Sequence, residues 1–115
     1  MKPLLHIALV SMALLLSSEA ALAVTIRGAA SCEKWVDDRE QEKSGKRMMT
    51  RDVWLVGYLS GLASGTQKEF WGKPGVDALD NDSALLWMDN YCRANPLKDA
   101  DDGAVRLFLE RTRGK

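Results

Sequence analysis

The side chains best suited to chemistry in this chain are one histidine, two cysteines and sixteen carboxylates. The histidine, His6, lies inside an apolar leader. Once that leader is removed, no imidazole is left for a Ser-His-Asp or Cys-His relay, for a zinc ligand, or for proton transfer near neutral pH. Cys32 and Cys92 are spaced for neither a CxxC redox pair nor a zinc site. An even cysteine count in an exported chain instead points to a disulfide, and closing a loop of about 60 residues should stabilise the fold by roughly 4 kcal/mol. Carboxylate pairs are the remaining candidates for catalysis, nominally Asp80 with Asp82 and Asp99 with Asp101. Such a pair needs a cleft, and a chain this short leaves little room for one. The sequence therefore assigns no catalytic residue.

Metal binding fails on similar grounds. Asp99, Asp101 and Glu110 fall at positions 1, 3 and 12 of an EF-hand loop, but Gly103 stands one place early and the third oxygen ligand is missing. The segment then runs into an apolar helix. No metal or cofactor is expected. Asn81-Asp82-Ser83 is a glycosylation sequon only in a eukaryotic secretory pathway, and reads better as a helix cap.

The leader itself spans residues 1–23. Lys2 supplies a positive start, residues 4–16 are apolar apart from His6 and Ser11, and Ala21-Leu22-Ala23 is a small-x-small cleavage signal. The apolar run is too short to span a bilayer. Cleavage after Ala23 leaves residues 24–115 as one domain in the periplasm or outside the cell. Basic and acidic residues balance, which argues against a nucleic-acid partner, and no polybasic run marks a membrane surface.

Four helices follow from periodicity and punctuation, with no strand-like alternation. Ser31 caps a first helix from Cys32 to about Lys43, with Cys32, Trp35 and Val36 as its apolar stripe and Ser44-Gly45 as its stop. Beyond Val36 this helix is polar, so only its first turns are expected to be buried. Thr50 caps the longest helix, Arg51 to about Phe70, whose apolar residues surround nearly the whole circumference and mark it as the central element. Gly57, Gly61 and Gly65 form a stripe on it, at about 1 kcal/mol each relative to alanine, and predict close helix packing. Asn81 or Asp82 caps a third helix, Ser83 to about Arg93, with Asp89, Asn90 and Arg93 facing outward; Asn95-Pro96 ends it. A fourth helix starts near Asp99 and buries Ala104, Val105, Phe108 and Leu109. The fold class is a small four-helix all-α domain, its disulfide joining helices one and three.

Between helices two and three lies a glycine- and proline-bearing loop. Trp71 within it is either a lid over the core or an anchor for a partner. Trp71, Lys73, Asp77, Asp80 and Asp82 are the candidate partner-binding residues, because an exposed, partly acidic loop between rigid helices suits a plug for an enzyme cleft.

The segments Trp54-Leu55-Val56-Gly57-Tyr58-Leu59-Ser60-Gly61 and Leu86-Trp87-Met88-Asp89-Asn90-Tyr91-Cys92-Arg93-Ala94-Asn95-Pro96, with Cys32 upstream and an apolar last helix downstream, resemble the Rap/Tai family. Those are small periplasmic immunity proteins that neutralise cell-wall amidase toxins delivered by type VI secretion. The resemblance implies a protein partner of the secreted peptidoglycan amidase class, and a homodimer. It departs from the family in carrying a single cysteine pair. The layout is similar, more distantly, to the HdeA-like acid-stress chaperones, and an envelope adaptor role is a further alternative.

Overall fold

The computed structural model describes residues 24–43 and 50–115. The leader, with His6 and its cleavage signal, lies outside the described residues, as does Ser44-Gly45. The described chain forms four helices: α1 Cys32–Lys43, α2 Thr50–Thr66, α3 Asn81–Ala94 and α4 Ala100–Thr112. Cys32 and Cys92 are bonded, joining α1 to α3. The four-helix, all-α architecture and its disulfide stand as the sequence implies.

The ends of the helices are set by local chemistry. The Ser31 hydroxyl accepts from Lys34 N at 3.1 Å at the start of α1. Asp80 caps α3, accepting from Ser83 N at 2.7 Å, so the cap falls one residue before Asn81. Asp99 precedes α4, and the Asp102 carboxylate accepts from Asp99 N at 3.1 Å. Helix α3 stops at Asn95, whose side-chain amide donates to Tyr91 O at 2.9 Å, just ahead of Pro96.

Helix α2 ends at Thr66, four residues short of Phe70. Gln67 takes a left-handed φ of 56°. Lys68 N then reaches Ala63 O at 3.1 Å and Gln67 N reaches Ser64 O at 3.4 Å. That pair of bonds is a Schellman cap, here with glutamine where glycine is usual. Phe70 is consequently not a helical residue. It is fully buried, stacked on Phe108 with ring centroids 5.8 Å apart.

The central element is α3, not α2. Helix α3 packs against each of the other three, whereas α2 buries only Leu55 and Leu59 completely. Val53 on its outer face is 65% exposed. The close packing expected at Gly57, Gly61 and Gly65 is not made among the described residues, where a methyl group added at any of them would meet nothing within 4 Å. The helices meet closely elsewhere. A Cβ on Gly103 of α4 would lie 2.6 Å from the Tyr91 ring and 3.0 Å from Met88 Cε, so the missing side chain lets α4 press against α3. The buried face of α4 is Ala100, Gly103, Ala104, Leu107, Phe108 and Thr112. Leu107 is therefore inside and Leu109 outside, a rotation of the face read from the sequence.

The segment before α1 is also anchored. Ala30 O accepts from Ala100 N, and Cys32 N donates to Lys98 O, both at 2.8 Å. The turn after α3 thereby clamps the entrance of α1 beside the disulfide.

Candidate functional site

Two groups of polar side chains stand out once the helices are in place: the loop between α2 and α3, and a cluster under α1.

The loop is closed on itself. Leu79 N donates to Trp71 O at 2.7 Å, bringing its ends together, while Val76 N and Asp77 N both reach Lys73 O, at 3.1 and 3.2 Å. Gly72 adopts φ +80°, and a Cβ there would strike the Asp77 carbonyl oxygen at 2.5 Å, so only glycine fits the turn. From α4, Arg111 donates to Phe70 O at 2.9 Å and to Asp77 O at 3.0 Å, with its guanidinium 5.5 Å from the Phe70 ring centre. The loop is a preformed projection, tied at both ends.

The five residues singled out from the sequence divide within it. The half-buried Trp71 donates through its indole to Ser60 Oγ at 3.0 Å and meets Phe70 edge to face, which makes it a lid over the core. Lys73 is exposed, and its backbone N–H donates to Asp77 Oδ1 at 2.9 Å. That hydrogen bond, together with Lys115 at 3.4 Å, holds the Asp77 carboxyl below its ordinary range. The Asp80 carboxyl is lowered too, chiefly by the backbone N–H of Ser83 that it caps. Asp82 lies exposed in the first turn of α3. Sequence reasoning missed Val76, 80% exposed at the tip between Gly75 and Asp77.

Under α1 lies a cluster the sequence did not suggest. Asp89, read as an outward residue of α3, is buried and accepts from the Trp35 indole at 2.9 Å and from Arg39 Nε at 2.9 Å. A further bond from Arg39 Nη2 at 3.1 Å makes that pair bidentate. Asp38, on the polar part of α1, is 0% exposed. It pairs with Lys34 one turn back and with Arg51 of α2 at 2.7 Å. The Lys34 hydrogen bond, with Arg51 behind it, outweighs burial and draws the Asp38 carboxyl below its ordinary value. Arg39 is raised, first by its bond to Asp89. The available signal was the spacing of Trp35 with Arg39 and Lys34 with Asp38, one helical turn apart on α1.

The carboxylates of Asp99, Asp101 and Asp102 come within 4.8 Å of one another. Capping accounts for this cluster, since Asp102 already binds Asp99 N and acids suit a helix start. Burial, with Asp101 and Asp102 adding to it, pushes the Tyr58 phenol above its ordinary range. The described residues contain no histidine, and both cysteines are in the disulfide.

Compared with protein-family models, with curated proteins and with solved structures, the chain matches none.

Proposed function

We propose that this chain is a non-catalytic protein-binding domain of the periplasm, and that it inhibits a cell-wall amidase in the manner of the immunity proteins its motifs resemble. The observation that carries this reading is the loop of residues 71–80, closed by its own backbone and fixed to α4 by Arg111. A loop held in its bound shape before contact loses little entropy on binding, which is how a small domain can occupy an enzyme cleft tightly. Its tip offers Val76 as an apolar anchor, with Lys73 and Asp77 beside it for orientation. The disulfide suits an oxidising compartment.

The test is protection. Cells directing a type VI cell-wall amidase to their own periplasm should survive when they also express this chain. Val76→Asp, at an exposed position that leaves the core untouched, should weaken the complex at least tenfold and remove protection. If no amidase of that class is inhibited by the intact chain, the reading fails.

A further inference from the structure

Helix α1 is attached to the domain by two kinds of contact, divided along its length. Its first turns supply Cys32, bonded to Cys92, and Trp35, both fully buried. After Val36 every residue through Lys43 is polar or charged, so apolar burial does not hold the second half. Among the described residues, the ion pairs that reach the other helices hold it by charge. Around Asp38 stand Lys34 from the same helix and Arg51 from α2. Around Asp89 of α3 stand Arg39 and the Trp35 indole. Arg39 also holds Glu42 at 2.6 Å and lies 3.7 Å from Asp52 of α2, while Glu40 lies 3.7 Å from both Arg93 of α3 and Lys43.

We infer that residues 37–43 form an acid-released strap: once the Asp38 carboxylate is neutralised, this half of α1 lifts off α2 and then α3 while the Cys32–Cys92 bond keeps its first turn docked. The physical reason lies with the arginines. The Arg39 and Arg51 side chains are only 19% and 18% exposed and cannot shed their protons. A largely covered guanidinium facing a neutral carboxyl has lost that counter-charge and gains from hydration; Glu42 is on the same helix and travels with Arg39, whose route to water moves α1 itself. Helix α1 also carries the bases Lys34, Arg39 and Lys43 on a face opposite Arg51 and Arg93, so the clasp carboxylate separates like charges. Helices α3 and α4 are joined to each other by apolar contacts and keep their core.

The sign follows from Asp38. Its carboxyl is lowered in the folded chain, so the contact it makes is complete above the ordinary aspartate value of about 3.9 and is lost as pH falls through the lowered one. The strap is therefore closed at neutral pH and opens below about pH 4. The inference concerns the fold and stands whether or not the proposed amidase is the partner.

Backbone order parameters from nitrogen-15 relaxation of the oxidised, leader-free chain test it. At pH 7 all four helices should show values near 0.85; at pH 2.5 residues 37–43 should fall below about 0.6 while α3 and α4 stay near 0.85. The variant Asp38→Asn with Asp89→Asn should show the same local release at pH 7. A strap as rigid at pH 2.5 as at pH 7 would overturn the inference. So would simultaneous loosening of all four helices, in the wild type at acid pH or in the variant at pH 7, because the clasps would then hold the whole fold. A variant that keeps the strap rigid at pH 7 would also count against it.

Discussion

Asp89 joins more of this molecule than its position in the sequence suggests. One carboxylate accepts the Trp35 indole and a bidentate Arg39, tying α1 to α3 through a side chain that is itself buried. Replacing a buried ion pair as a whole by apolar residues can be neutral, but removing one partner leaves an uncompensated charge. Asp89→Ala is thus expected to lower the unfolding free energy by about 3–5 kcal/mol, read from urea titrations. An exposed acid such as Asp82 should change it by less than about 0.5 kcal/mol when replaced by alanine. Equal losses at the two positions would contradict the buried role of Asp89. Sequence periodicity placed Asp89 on the outer face of α3 with Asn90 and Arg93, which is correct for an isolated amphipathic helix. It fails because α1 lies against that side and brings a guanidinium and an indole N–H with it.

Among the helices, the glycines separate what a stripe suggests from what packing requires. Gly57, Gly61 and Gly65 share one face of α2, yet a side chain there meets nothing among the described residues. Gly103 has no such partners in sequence and is the residue over which Tyr91 lies. Opposite responses to alanine follow. Gly61→Ala should stabilise the domain by about 1 kcal/mol, because the helix gains propensity without a clash. Gly103→Ala should destabilise it by roughly 1–3 kcal/mol, since the ring and Met88 must move to admit a methyl group. Thermal unfolding of the two variants beside the wild type would decide it; a rise in Tm for Gly103→Ala would refute the close contact. The same contrast explains why α2 looked central. Its apolar residues are numerous, but the number of apolar residues does not say how many neighbours a helix has. The early stop of α2 is a related case: Gln67 carries no obvious breaker signal, and the left-handed cap forms because Phe70 has to turn back into the core beside Phe108.

For the whole molecule, the disulfide is the widest constraint. It links residues 60 apart in sequence, at the point where the turn after α3 clamps the entrance of α1. The doubly substituted chain Cys32→Ser, Cys92→Ser should lose roughly 4 kcal/mol of stability on the chain-entropy account. Its urea midpoint should fall, and its m-value should rise as the unfolded chain expands. An unchanged midpoint would mean that the Ala30–Ala100 and Cys32–Lys98 hydrogen bonds suffice to hold the entrance. The number and type of helices, the cap at Ser31, the start of α4 near Asp99, the stop before Pro96 and the pairing of two cysteines were all legible from the residues alone. Each depends on neighbours within about one turn of the chain or on simple parity. Which face of α4 is inside, which helix lies at the centre, where a glycine is indispensable and which aspartates are buried were decided only by tertiary structure. Those properties depend on what a distant segment places opposite a residue. Arg39 and Arg51 make core residues of Asp89 and Asp38, which one-dimensional periodicity assigns to water.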